Sequence, residues 1–216
     1  MAGKLSVVAT PIGNLEDITL RALRVLKEAD FVACEDTRNT RKLLSHFDIH
    51  TPAIVDSKVL GLLEQGKHVA LVSDAGTPGV SDPGGKLVAD ARAAGAVVEA
   101  IPGASALPAA LSIAGLRAST FTFYGFLPIK KGRETLFKEI GASERASIFY
   151  ESPHRIMKAL ESLIKYLPAG RRVGLYRELT KMYEEALIGT AQELHELLTA
   201  NPQKQRGEFV VIVEGE

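Results

Sequence analysis

Short unbroken apolar runs alternate along this chain with amphipathic stretches. Eight runs rich in Val, Ile, Phe and Tyr are predicted strands, at 5–10, 31–35, 69–73, 97–101, 121–126, 147–151, 173–178 and 208–214. Most are unbroken, which suits strands covered on both faces. Helical spacing fills several gaps between them. Over 17–29, Ile18, Ala22, Val25, Leu26 and Ala29 share one face, with Asp17 placed to cap it. A second helix is predicted over 83–94, with Asp82 as N-cap, Pro83 at the first helical position and Gly95 as its stop. A third is predicted over 153–167, where Ile156, Leu160, Leu163, Ile164 and Leu167 recur at helical spacing after Ser152, the expected cap. Strands alternating with helices predict an α/β fold. The stretch 114–119 has no clear period, so the boundary is expected there, giving two α/β domains at 1–116 and 117–216 with four strand runs each. A cleft between two such domains is a common place for cofactors and substrates.

Three predicted strands run directly into Gly, Pro and small polar residues. These turns are Thr10-Pro11-Ile12-Gly13-Asn14, Asp74-Ala75-Gly76-Thr77-Pro78-Gly79 and Pro102-Gly103-Ala104-Ser105-Ala106. Such turns leave bare backbone amides at the carboxyl edge of a sheet, where open α/β folds bind small ligands. Three of them in one half of the chain point to one shared cofactor pocket. The first is neither a P-loop, since no Gly-Lys-Ser/Thr follows, nor the three-glycine dinucleotide pattern. In the second, Asp74 is placed either to accept hydrogen bonds from a ligand's hydroxyls or amines or to close an Asx-turn. In the third, small residues let a flat ring or a thioether approach the backbone closely, and Ser105 is also placed to cap the helix that follows.

Charged groups gather at other strand ends: Glu35-Asp36-Thr37-Arg38, Glu151-Ser152-Pro153-His154-Arg155 and Arg177-Glu178-Leu179-Thr180-Lys181. Taken singly, each reads as a solvated face or an ion pair. The string Lys130-Lys131-Gly132-Arg133 reads as an exposed loop.

Composition narrows the function classes. With 216 residues the chain can form one large or two compact domains, and 26 basic against 26 acidic side chains argue against a globally basic nucleic-acid binder while leaving room for a local basic groove. Cys34 is the single cysteine, so neither an intrachain disulfide nor a cysteine zinc cage is expected; no metal site is predicted, and the thiol reads as buried. No apolar run reaches membrane-spanning length, and the amino terminus enters a strand without a signal-peptide pattern, so the expectation is a cytoplasmic protein with no membrane partner.

Together these strings carry a family resemblance. Ala9-Thr10-Pro11-Ile12-Gly13-Asn14-Leu15, Ala33-Cys34-Glu35-Asp36-Thr37-Arg38, Ser73-Asp74-Ala75-Gly76-Thr77-Pro78, Ser81-Asp82-Pro83-Gly84, Pro102-Gly103-Ala104-Ser105-Ala106, Gly125-Phe126-Leu127-Pro128, Phe149-Tyr150-Glu151-Ser152-Pro153-His154-Arg155, Arg177-Glu178-Leu179-Thr180-Lys181 and Gly207-Glu208-Phe209-Val210 follow one another over nearly the whole chain. In this order they resemble the ribosomal small-subunit RNA cytidine 2′-O-methyltransferases of the tetrapyrrole-methylase superfamily. The resemblance implies two α/β domains with S-adenosylmethionine folded into the cleft between them. It implies cofactor contacts at Pro11, Ile12, Gly13, Asp74, Gly76, Thr77, Pro78, Ser105, Ala106, Phe126, Leu127, Glu178, Leu179 and Thr180. It also implies a homodimer that acts on small-subunit ribosomal RNA near the decoding region.

Two departures bear on the substrate. Where members of the family carry a His-Glu-His-Asn-like string after Thr51-Pro52, this chain passes from Ala53-Ile54-Val55-Asp56 straight to Ser57-Lys58. It also ends near the end of the second α/β domain, where many relatives continue into a small helical domain. A ribose 2′-hydroxyl needs help losing its proton. Candidate bases are Glu35, Asp36, Glu151, His154 and Glu178, with the Glu151/His154 region favoured. Arg38 and Arg155 are candidates for holding RNA phosphates or, equally, for ion pairing. A tetrapyrrole or protein-side-chain methyltransferase and a noncatalytic ribosome-binding factor are the competing readings.

Overall fold

The computed structural model describes residues 2–81 and 84–216, so the expectations for Asp82 and Pro83 lie outside the described residues. The chain divides into two compact units, Met1–Ser105 and Ala106–Glu216. The boundary read from the sequence at 116/117 places the helix Ala106–Ser112 with the first half; by its contacts it groups with the second.

The first unit runs β1 (Lys4–Val8), α1 (Leu20–Glu28), β2 (Phe31–Cys34), α2 (Thr37–His46), β3 (Ala53–Val55), α3 (Val59–Glu64), β4 (His68–Leu71), α4 (Gly84–Ala93) and β5 (Val97–Ile101). Its five strands form one wholly parallel sheet in the order β3-β2-β4-β1-β5. Alternate residues of the central strands feed two cores. Val32, Cys34, Ala70 and Val72 join Ala22, Val25 and Leu26 of α1 and Leu44 of α2, while Ala33, Val69 and Leu71 join Val59 and Leu63 of α3 and Ala91 of α4. Both faces are therefore covered, which is the setting in which parallel strands are stable. Burial of Cys34 raises its thiol pKa, so the thiol stays protonated in the core.

The second unit runs α5 (Ala106–Ser112), β6 (Phe121–Phe126), α6 (Arg133–Gly141), β7 (Ala146–Glu151), α7 (Ile156–Tyr166), β8 (Arg172–Arg177), β9 (Glu185–Thr190), α8 (Ala191–Ala200) and β10 (Phe209–Val213). Its sheet is mixed, in the order β6-β7-β10-β8-β9, with only β6 and β7 paired in parallel. Phe149, Val173, Leu175, Phe209 and Val211 pack with apolar residues of α6, α7 and α8. Behind the sheet, buried Tyr176 donates to Ala114 O at 2.9 Å, and burial pushes its hydroxyl up to about 12.

Two helix caps differ from the sequence expectation. The first helix begins at Leu20 with Thr19 as N-cap, its hydroxyl accepting from Ala22 N; Asp17 lies instead in a separate 3₁₀ turn, Leu15–Asp17, capped by Asn14. A β-region residue immediately before the helix is needed for that bond, and Asp17 is one short turn too early. Likewise Ser152 does not cap α7. Its carbonyl accepts from Arg155 N and Ile156 N, making a turn, and the helix starts only at Ile156.

Gly141 marks where α6 meets the end of α7: a Cβ there would lie 2.3 Å from Tyr166 O, whereas one on Gly61 in α3 would meet nothing within 4 Å. Gly141→Ala is expected to lower stability by about 1–3 kcal/mol through overpacking. Gly61→Ala is expected to raise it by up to about 1 kcal/mol through helix propensity. Denaturant unfolding of both variants checks the contrast.

Candidate active site

Because the first sheet is parallel, the turns after β1, β4 and β5 leave from the same edge, and β1 lies between the other two strands. Pairing continues beyond the strands. Thr10 and Gly76 exchange backbone hydrogen bonds of 2.9 and 3.0 Å, and Ala9 N donates to Ile101 O at 3.1 Å. Thr77 Oγ1 donates to Ala104 O at 3.1 Å, tying the second turn to the third. The three turns predicted as one pocket are thus physically joined within this unit. Gly76 has φ +79°, a conformation glycine adopts freely, and a Cβ on it would sit 3.2 Å from Ile12 Cγ2. A Cβ on Gly103 would sit 3.0 Å from that of Ala9. Pro11, Gly76 and Pro78 are buried, Ile12, Thr77 and Ser105 half-buried, and Gly13 and Asp74 exposed. The result is a rim made largely of backbone with one carboxylate, Asp74, which accepts from Asn39 Nδ2 at 3.3 Å. Ala106 opens α5 in the second unit.

At the same edge, β2 leads into Glu35 and Asp36. Asp36 caps α2 by accepting from Arg38 N at 2.8 Å, and the Arg38 guanidinium reaches back to it at 2.7 Å. These bonds hold the Asp36 carboxyl down at about 2. Glu35 is exposed.

In the second sheet the ends of β6, β7 and β8 share an edge, since β7 and β8 both run antiparallel to β10. Gly125, at φ +62°, lies where the β6–β7 register shifts; after it Phe126 is exposed and Leu127 buried. The turn that follows is gripped from behind. Glu151, whose side chain is fully buried, pairs with Arg133 (Nη2–Oε2 3.1 Å) and Arg155 (Nε–Oε1 2.8 Å) and also accepts from Ser152 N at 2.8 Å. The two guanidiniums then donate to Pro128 O at 3.2 Å and to Leu127 O at 3.1 Å. His154 stands exposed on the same turn as Arg155.

The end of β8 is strained. Glu178 and Thr180 have φ of 49° and 66°, left-handed values costing of order 1–3 kcal/mol each for non-glycine residues. Hydrogen bonds offset this cost. Glu178 accepts from Glu208 N and Lys181 Nζ, both at 2.9 Å, and Thr180 N donates to Glu184. Burial alone would raise the Glu178 carboxyl, but these donors draw it below the usual carboxylate range. Leu179 between them is buried.

The family model for Tetrapyrrole (Corrin/Porphyrin) Methylases matches residues 4–195. The chain belongs to this family. It is 47% identical over 223 residues to the protein named Ribosomal RNA small subunit methyltransferase I of Halalkalibacterium halodurans, covering 99% of this chain and 76% of that one. It is 46% identical over 224 residues to the protein of that name from Pseudomonas aeruginosa, covering 99% and 79%. Its fold is similar to that of uroporphyrin-III-C-methyltransferase from Thermus thermophilus, with a TM-score of 0.68, 21% identity and coverage of 98% and 94% of the two chains. As a tetrapyrrole-methylase family protein it is a methyltransferase, and the joined turns after β1, β4 and β5 are the candidate centre of that activity. No helix among the described residues is long and apolar enough to cross a membrane.

Arg133 also departs from its sequence reading. Arg133 is not an exposed loop charge: it opens α6 with its side chain 14% exposed and completes the Glu151 network. Nothing local in Lys-Lys-Gly-Arg marks it, because its partner lies 18 residues away. Arg155, read as a phosphate ligand or an ion-pairing residue, has its guanidinium engaged by Glu151, Ser152 and Leu127.

Removing Glu151 would strand two mostly buried guanidiniums. Glu151→Ala is expected to destabilise the fold by roughly 3–5 kcal/mol, and Glu151→Gln by less because one acceptor oxygen remains. Chemical denaturation checks the order.

Proposed function

We propose that this protein transfers a methyl group from S-adenosylmethionine to the 2′-oxygen of a cytidine ribose in small-subunit ribosomal RNA. The observation that carries the reading is the backbone rim built by the Thr10–Gly76 bridge and the Thr77–Ala104 bond. Its residues fit such a donor. At Gly76 a side chain would close the space beside Ile12, so the rim admits a flat ring against bare backbone. Asp74 is exposed there to accept from hydroxyls or amines. Pro11, Ile12, Gly13, Gly76, Thr77, Pro78 and Ser105 would hold the cofactor by shape and by backbone polar groups. When bound, S-adenosylmethionine supplies an electrophilic methyl group on a sulfonium. The relatives' name supports ribosomal RNA as the acceptor.

The residues that would act on the acceptor divide by exposure. Glu151 has both carboxylate oxygens engaged by donors and no exposed side-chain surface, so its proposed task is to hold Arg133, Arg155 and the Leu127–Pro128 turn in place. His154 and Glu35, both exposed, are the proposed acceptors of the 2′-hydroxyl proton. Alignment of the oxygen with the methyl group would supply much of the rate, since orientation is worth about 7–11 kcal/mol in favourable cases.

Incubation with labelled S-adenosylmethionine and unmethylated small subunits, followed by mapping of the modified ribose, tests the proposal. Label on one cytidine ribose is expected. No incorporation by protein that binds the cofactor would overturn it. Gly76→Ala should weaken cofactor binding by roughly tenfold or more, because alanine tolerates a left-handed backbone poorly and its methyl enters the rim. Calorimetric titration measures that loss. His154→Ala and Glu35→Ala separate the proton acceptors: loss of the acting base should lower kcat by about 10²–10⁴.

A further inference from the structure

We infer that the exposed face of α2 is a phosphate track for the RNA, running from the Asp74 turn to a nucleotide-sized cavity at the helix's far end. This inference rests on the RNA-methylating reading above and adds the surface that engages the strand. The chain has no net charge, so any attraction for a polyanion must be local. Helix α2, Thr-Arg-Asn-Thr-Arg-Lys-Leu-Leu-Ser-His, contains no acidic residue. Arg38, Arg41 and Lys42 stand at i, i+3 and i+4 and so share a face, while Thr40 and Leu44 are buried on the other. Arg41 and Lys42 are exposed and make no ion pair among the described residues. Arg38 pairs with Asp36, yet its side chain is 83% exposed, so the pair can open toward a phosphate.

The track is anchored at both ends. At its start, Asn39 bonds Asp74 at 3.3 Å, which puts the first turn of α2 beside the candidate cofactor rim. At its end lies a cavity of about 450 Å³, with Arg41, Leu44, Asp48, His50 and Pro52 among its lining and the Asp48 carboxylate 3.2 Å from the His50 ring. That volume falls within the range of small-ligand pockets. Exposed Pro52 offers a base an apolar surface, His50 a ring to stack on, and Arg41 a guanidinium for the adjoining phosphate. This is how unstacked single-stranded RNA is commonly gripped. A single-stranded or loop segment beside the target nucleotide fits this surface; a rigid duplex would not enter the cavity.

The test is the double variant Arg41→Gln/Lys42→Gln, compared with Arg41→Lys/Lys42→Arg, in methyl transfer to small subunits and in binding to a short single-stranded RNA over a range of salt. The charge-removing pair should raise the KM for RNA roughly tenfold or more. It should also make the plot of log K against log salt shallower by about 0.7 for each lost phosphate contact. Affinity for S-adenosylmethionine should not change, and the charge-conserving pair should behave as wild type. An unchanged KM and salt slope in the Gln pair, with wild-type protein active on RNA, would overturn the track alone. Inactivity of the wild type on RNA would overturn the acceptor assignment instead, and the binding titration would still decide the surface.

Discussion

Two backbone hydrogen bonds between Thr10 and Gly76 fix the candidate site, and the rest of the first unit is arranged so that they can form. Strands β1 and β4 are hydrogen-bonded neighbours in parallel register, so their carboxyl ends arrive together. The chain then has to leave both strands without the turns drifting apart. An antiparallel bridge past the end of a parallel pair does this, but only if one partner turns back on itself. Gly76, at φ +79°, makes that reversal, and the absent Cβ leaves Ile12 its place. Thr77 carries the constraint on to Ala104, and hence to the turn after β5. One permissive residue therefore couples three strand ends, and the backbone groups they expose acquire fixed positions rather than a loop's freedom.

The edge of the second unit is held by charge rather than by backbone pairing. A carboxylate without exposed surface is costly unless its oxygens meet strong donors. Glu151 meets Arg133, Arg155 and Ser152 N, and each arginine directs a further donor to a carbonyl, Arg133 to Pro128 O and Arg155 to Leu127 O. The arrangement converts a desolvated charge into a brace for a turn that otherwise has only the bulge at Gly125 to direct it. The same logic recurs at β8, where Glu178 in a left-handed conformation is compensated by Glu208 N and Lys181. At both places the carboxylate is engaged by donors from its own unit, while neighbouring His154 is exposed.

How much of this was legible in the sequence follows from the range of the interactions. The parallel strands of the first sheet, apart from β3, were legible because burial on both faces leaves unbroken apolar runs, and the three turns were legible because Gly and Pro punctuate them. The strands β3 and β9 were not read. Ala53–Val55 is three residues long between Pro52 and an aspartate, and Glu185–Thr190 begins with a charge and carries Gly189 inside it. Both sit at sheet edges, where one side has no neighbouring strand and the apolar signal thins. The mixed character of the second sheet is likewise invisible, since β10 carries the same apolar run whichever way it points. Asp17 reads as a cap by residue type, but Thr19 holds the position next to the helix and caps it. Arg133 was unreadable in principle, because its meaning lies in Glu151 rather than in its neighbours.

Electrostatics then separates the charges at the strand ends from those on α2. At the strand ends nearly every charge is met by an opposite one within its own unit: Asp36 by Arg38, Glu151 by two arginines, Glu178 by Lys181. Such closed pairs give fixed shape but little field beyond their own surroundings. A neutral chain can attract a polyanion only where cations are left in excess on one face, and α2 is such a place, with Arg41 and Lys42 outside any ion pair among the described residues on a helix that has no acid of its own. Shape is set by the paired charges and attraction by the unpaired ones. A protein that must hold a small cofactor rigidly and a long, flexible nucleic acid loosely gains from keeping the two kinds of charge on different elements.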